Sequence, residues 1–368
     1  MIKSMTKANI LILTYFNGVL PDNSYLILKR YPFFKSETKI QNAIKTLNEE
    51  KLIKKIRIPN YPHQSNNQKD AYIITAKGQK ELFSFGERIG KKVYKRSQKI
   101  EQQLKNQQYD MLNRMTETTL LLERNEHFIS RSEVYDLFPE ETTKANQSLR
   151  FHGAFKSYND YMAIYNIKSR AMEARILDEE KFFRILNGRD IMSVEPFKKI
   201  LIADDEKITD KLIKNRIDEP GYFTKSKRSK YIFHPERQNE ITYLITLNSD
   251  PDDVLFFLHF DKLNMQEFKE KFFFSNSNAK EFYSHRYNSV VNETFYNPMF
   301  FFEIGEVFHL YSSVLGLEHN QNDIIVPTLD YNAKMFEYLF KGVDFVKIKK
   351  MTFSEVIELL GYKQESVA

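Results

Sequence analysis

The 368-residue chain has no cysteine and no tryptophan, and only 11 glycines and 11 prolines. Without thiols there are no disulfides, cysteine-bound zinc or iron–sulfur centres, or thiol nucleophiles. The eight histidines stand singly. No His-x-His pair aims two imidazoles from one strand face at a common ion, which argues against a metal-histidine nicking site. The glycines are scattered too, with no phosphate-cradling Gly-x-x-x-x-Gly-Lys-Ser/Thr run and no dinucleotide fingerprint, so ATPase and dehydrogenase chemistry are set aside and no cofactor is expected. No run of about 18 apolar residues occurs, and Met1-Ile2-Lys3-Ser4 leads into no signal-peptide core. The expectation is a cytoplasmic protein with no membrane partner.

What is present is ordinary globular composition, 28% charged and 42% hydrophobic, with length for two or three domains. The net charge of +6 conceals a division. Residues 1–109 carry 21 Lys and Arg against 8 Asp and Glu, a net +13, and the other 259 carry 34 against 41, a net −7. Such asymmetry points the basic part at a polyanion.

Helical spacing of Ile10, Leu11, Leu13 and Phe16 predicts a helix over Thr6 to Val19, and Pro21-Asp22-Asn23 stops it and starts a second over Asn23 to Tyr31. Ser36 is the N-cap expected for a third helix, with Ile40, Ala43, Ile44 and Leu47 in one stripe and a polar, amide-rich face opposite. Lys54 to Ile58 alternates charged and branched residues as a half-exposed strand does, a turn-rich loop covers Pro59 to Lys69, and Ala71 to Ile74 returns as a strand before Thr75 caps a helix.

This order, with Leu47 to Ile53 running into the hairpin and then Tyr72-Ile73-Ile74-Thr75-Ala76-Lys77-Gly78, resembles a winged helix-turn-helix domain. The resemblance implies double-stranded DNA as partner, with the third helix in the major groove, where Lys donates to guanine and Gln or Asn pairs with adenine. Ser36, Thr38, Lys39, Gln41, Asn42 and Lys45 are the candidate contacts on that helix. His63, Asn66, Asn67 and Lys69 are candidates on the loop that would form the wing.

Residues 84–125 lack proline and predict a long linking helix, basic at its start through Arg88, Lys91, Lys92, Lys95, Arg96 and Lys99, of which Lys91, Lys92 and Lys95 are candidate phosphate contacts. Such a helix, or the C-terminal domain, is also where a homodimer would form. Beyond it, paired strands at Phe151 to Phe155 and Tyr161 to Asn166 precede a helix from Ala171 to Leu186 ended by Gly188. Strands then alternate with helices through Lys199–Ala203, Ile241 to Leu247 (helical or strand-like), an aromatic strand Met299 to Phe302, a helix around Val307 to Leu315, Asp323 to Pro327, Tyr331 to Phe340, Val343 to Ile348 and Phe353 to Leu360. The expected fold class is α/β overall: an α+β winged helix at 1–83, a basic linking helix at 84–125, and an acidic α/β domain at 126–368 with a mixed or largely parallel sheet.

The whole chain, with Gly153-x-Phe155, Tyr161, Ile164-Tyr165-Asn166, Glu173 and the late run Ile324-Ile325-Val326-Pro327 followed by Phe340 and Val343-Asp344-Phe345-Val346, is similar to the replication-relaxation proteins of plasmids and conjugative elements in Gram-positive bacteria. That resemblance implies DNA binding in plasmid replication, maintenance or transfer, with replication or transfer proteins as further partners, and carries no catalytic residue across. Three alternatives stand beside it. A transcription regulator would sense a ligand or partner with its C-terminal domain, and a protein-binding winged helix would leave the polar face for another chain. A metal-dependent nuclease would use Asp205-Glu206-Lys207, which has the Asp-x-Lys spacing but sits after a strand with only Asp178, Asp190 and Glu195 as partner carboxylates. No residue is singled out as catalytic or metal-binding.

Overall fold

Apolar residues at helical and alternating spacing organise the chain into a mixed α/β structure. The structure, a computed structural model, describes residues 5–28, 34, 36–59, 68–89, 109–122, 127–141, 151–157, 160–167, 176–189, 197–203, 240–246, 282–283, 288–291, 294–297, 299, 304–315 and 323–359. Two compact units divide it, Met1–Phe155 and Lys156–Ala368.

The first unit begins with α1 (Met5–Asn17), β1 (Leu20–Pro21), a 3-10 turn over Asp22–Ser24 and α2 (Tyr25–Leu28). The second predicted helix therefore starts as a tight turn and is described only to Leu28. Helix α3 (Glu37–Glu49) starts where Ser36 caps it, its hydroxyl accepting from the Lys39 N–H, and buries Ile40, Ala43, Ile44 and Leu47, the predicted stripe. Its C-terminus turns through Lys51 at φ 58°, while Leu52 N–H reaches back 2.9 Å to the Leu47 carbonyl. A side chain in the left-handed region is tolerated here because that return bond drops Leu52 into the core. Strands β2 (Ile53–Pro59) and β3 (Gln68–Ile74) then pair antiparallel, with Ile53 opposite Ile74 and Arg57 opposite Asp70. β1 pairs antiparallel with the other side of β3, Leu20 opposite Tyr72, giving the order β1-β3-β2. Pro21, expected only as a helix stop, also sits on this short edge strand, where a missing N–H costs no ladder bond.

Thr75 opens α4 (Ala76–Ile89), its Oγ1 accepting from Gly78 N–H at 3.0 Å. The linking helix is described as α4 up to Ile89 and as α5 (Tyr109–Leu122), and 90–108 lie outside the described residues. Leu82 and Leu120 join Ile10, Leu13, Ile44 and Leu47 in one core. α5 is buried at every residue from Asn113 to Leu120. A helix buried all round must satisfy its polar side chains internally. Asn17 does much of this, donating to Thr116 Oγ1 at 2.9 Å and accepting from Thr119 Oγ1 at 2.6 Å, while Thr118 donates to the Arg114 carbonyl.

β4 (Phe128–Ser130) follows, then α6 (Arg131–Leu137), opened by a capping box between Ser130 and Glu133. β4 pairs antiparallel with β5 (Gly153–Lys156). Gly153 faces Ser130 across this pair, and a Cβ on it would stand 2.6 Å from the Phe128 ring. The Arg131 side chain is buried, with Nε and Nη2 donating to Tyr135 Oη at 2.8 and 2.6 Å and its guanidinium 5.3 Å from the Phe151 ring.

In the second unit β6 (Tyr161–Ile167), α7 (Ile176–Leu186), β7 (Phe197–Ala203) and β8 (Glu240–Thr246) follow in order, and the three strands run parallel, β7 between β6 and β8. The predicted strand at Lys199–Ala203 begins two residues earlier, and the ambiguous Ile241 to Leu247 segment is a strand as far as Thr246, Leu247 lying outside the described residues. α7 ends at Gly188, φ +66°, with Gly188 N–H on Ile185 and Arg189 N–H on Arg184 carbonyls. β9 (Phe282–Tyr283), β10 (Asn288–Val291), β11 (Thr294–Tyr296), α8 (Ile304–Leu315), β12 (Ile324–Leu329), α9 (Asp330–Leu339), β13 (Val346–Met351) and α10 (Phe353–Leu359) complete the chain. Their five strands lie in the order β13-β12-β11-β10-β9, parallel from β11 to β13 and antiparallel from β9 to β11, so this sheet is mixed.

The aromatic strand expected at Met299 to Phe302 is corrected at its first residue. Met299 lies in no strand, its N–H bonding to the Pro327 carbonyl and its carbonyl accepting from Thr328 Oγ1, and 300–302 lie outside the described residues.

Candidate nucleic-acid interface

The stripe that α3 buries decides what it presents. With Ile40, Ala43, Ile44 and Leu47 turned to the core, Thr38, Lys39, Gln41, Asn42 and Lys45 are all exposed, and Ser36 is spent on the cap. The structure thus brings six of the thirteen candidate residues together on one short helix and its cap. Lys69, at the far end of the β2–β3 hairpin opposite Ile58, is also exposed. His63, Asn66, Asn67, Lys91, Lys92 and Lys95 lie outside the described residues, as does Asp205-Glu206-Lys207.

The local chemistry differs between helix and hairpin. Within α3, Glu37 and Glu49 balance Lys39 and Lys45. Lys45 is 76% exposed and reaches Glu49 only at 4.0 Å, a contact of little energetic consequence. Gln41 Nε2 donates to Glu37 Oε1 at 3.4 Å. The helix face is therefore electrically neutral and rich in amide and ammonium donors.

The hairpin carries the positive charge. Lys54, Lys55, Arg57 and Lys69 oppose a single Asp70 within its two strands, and all four are exposed. Asp70 takes Lys55 at 2.6 Å, and this bond holds the Lys55 ammonium above its ordinary value. Burial pushes the neighbouring Tyr72 phenol up. Lys54, Arg57 and Lys69 have no side-chain ion pair among the described residues, so three cations along one hairpin remain available to an external anion. Sequence reasoning looked for phosphate contacts in the loop and on the linking helix and did not single out the exposed cations Lys54 and Arg57. The signal was the alternation of charged and branched residues that identified the strand.

Helix and hairpin share one base. Leu52 N–H bonds to Leu47 at the end of α3, Thr75 N–H and Oγ1 both bond to the Leu52 carbonyl at the end of β3, and Lys77 Nζ donates to the Glu50 carbonyl. The two donor sets are thus tied together by backbone bonds.

In the second unit Tyr165 Oη of β6 donates to Glu179 Oε2 of α7 at 2.8 Å, both groups buried, and the buried Lys199 Nζ lies 5.9 Å from the Phe197 ring. Among the described residues no three His, Asp or Glu side chains converge as metal ligands. No helix there is long and apolar enough to cross a membrane. Comparison with protein-family models, curated proteins and solved structures finds no match.

Proposed function

We propose that the chain is a sequence-specific double-stranded DNA-binding protein whose first unit contains a winged helix, with α3 as the recognition helix and the β2–β3 hairpin as the wing. The observation that carries this reading is the division of labour just described. A neutral helix bearing Lys39, Gln41, Asn42 and Lys45 suits base edges in a major groove, while a hairpin bearing Lys54, Arg57 and Lys69 suits phosphates. The setting suggested by the resemblance to replication-relaxation proteins is the replication, maintenance or transfer of a mobile element in a cytoplasm.

A gel-shift titration of the full chain on duplexes taken from around its own gene tests this. Binding is expected at low salt, weakening steeply as salt rises, and Lys39→Ala combined with Gln41→Ala should abolish the preference for one duplex over a scrambled one. Equal affinity of wild type and variant for both duplexes would reject the assignment of α3. The position of the bound duplex separates a promoter operator, which favours transcription regulation, from an origin.

A further inference from the structure

We propose that Gln41 reads an adenine in the major groove and that Glu37 is the positioning residue that gives it this preference. The inference rests on the DNA-binding reading above and names the kind of base pair it would recognise. Glu37 and Gln41 stand one turn apart on α3, a spacing that makes their side chains neighbours. The core stripe behind them fixes that face outward, with Gln41 exposed. A carboxylate only accepts hydrogen bonds, so the Gln41 amide must turn its nitrogen toward Glu37, as the 3.4 Å Nε2 to Oε1 contact shows, and its carbonyl oxygen away.

The consequence is chemical. With one amide hydrogen turned toward Glu37, what Gln41 presents outward is one N–H donor beside one carbonyl acceptor. Adenine presents the matching pair in the major groove, an N7 acceptor and an N6 donor. Guanine presents two acceptors, N7 and O6. An unrestrained glutamine can give guanine both hydrogens of its NH2 group, and Glu37 removes that alternative, leaving the Oε1 to meet O6 acceptor against acceptor. Lys39 and Lys45, without such a restraint, remain donors for guanine or phosphate.

The test is selection from a random duplex library with the full chain, followed by competition titrations at the position that wild type restricts to A·T. Glu37→Gln is expected to keep or raise overall duplex affinity while adenine-over-guanine discrimination at that one position falls about tenfold, within the range of one bidentate base contact. Gln41→Ala should lose the preference there and nowhere else, and Gln41→Arg should move it to guanine. Both positions lie on the outer face of α3, and unchanged helical circular dichroism confirms that the variants fold. A merely structural Glu37 would give a uniform affinity loss with the base preference intact, and that result overturns the proposal, as does a Gln41→Ala selection identical to wild type. Absence of any duplex binding by wild type would instead overturn the DNA-binding reading, and the assignment with it.

Discussion

Gly78 has no room for a side chain. It sits in the first turn of α4, donates to Thr75 Oγ1, and a Cβ there would fall on the Leu52 carbonyl oxygen and 2.9 Å from Ile74 Cγ1. That carbonyl already accepts from Thr75 N–H at 3.0 Å, and the Thr75 hydroxyl, shared between the Lys51 carbonyl at 2.7 Å and this one at 3.1 Å, ties the same turn, so the carbonyl is not free to move aside. Gly78→Ala is therefore expected to cost about 1–3 kcal/mol, the usual range for overpacking, seen as a lower Tm of the full chain; an unchanged Tm would mean that α4 can slide. Asp160 is the second such residue. Its carboxylate, 2% exposed, holds Arg189 at 2.6 Å and Lys198 at 3.5 Å, tying the start of β6 to the end of α7 and the start of β7. Each cation keeps about a fifth of its side chain in water. Removing the charge without the shape, Asp160→Asn, should cost on the order of 3 kcal/mol because both ion pairs of a buried carboxylate are lost. Urea titration measures it, and a loss below about 0.5 kcal/mol, the level of an exposed pair, would count against this account.

Elements were legible in the sequence to the extent that their pattern is local. α3 could be read because four apolar residues at 3.6 spacing and a serine cap lie within a dozen residues, and the exposed face followed from the buried one. Nothing local marks β1, two residues whose partner Tyr72 is some fifty positions away, or β9 to β11, which are two to four residues long. β4 with α6 was missed because the strand has three residues and the helix seven. The capping box that opens α10 shows how much a short element leans on its ends. Thr352 N–H and Oγ1 donate to Glu355 Oε2 at 2.7 and 2.9 Å, and Glu355 N–H donates to Thr352 Oγ1 at 3.2 Å. These two Thr352 bonds, with a smaller contribution from the Lys349 charge, hold the Glu355 carboxyl below its ordinary value. A lowered carboxyl stabilises the folded helix above its unfolded value, about 4.3 for glutamate, and the contribution is lost as pH falls through the folded value. Protection of the α10 amides, corrected for the intrinsic pH dependence of exchange, should therefore decline as the solution is acidified below about pH 4. Glu355→Ala should show weaker protection that no longer varies over that range, and equal acid sensitivity in both proteins would remove Glu355 as the cause.

For the whole molecule, charge distribution says more than net charge. The +13 of residues 1–109 against −7 for the rest means that a polyanion attracts one part of the chain and repels the other. Within the described part of that segment the two hairpin strands hold a net +3 while α3 is neutral, so affinity and sequence preference should separate on mutation. Each phosphate neutralised on B-form DNA contributes about −0.9 to the slope of log K against log salt. Replacing Lys54, Arg57 and Lys69 together by alanine should flatten that slope by up to about 2.7, with weaker binding to every duplex and an unaltered order of preference among them. Gln41→Ala should do the reverse, leaving the slope in place while erasing part of the preference. Anisotropy titrations over a salt series on a preferred and a scrambled duplex measure both quantities at once. A protein-binding hairpin would give a shallow slope that the triple variant hardly changes, because displaced counterions are few when the partner is not a line of phosphates. A slope that falls with the triple variant alone, together with a preference that falls with Gln41→Ala alone, is the result expected of a phosphate-holding hairpin beside a base-reading helix.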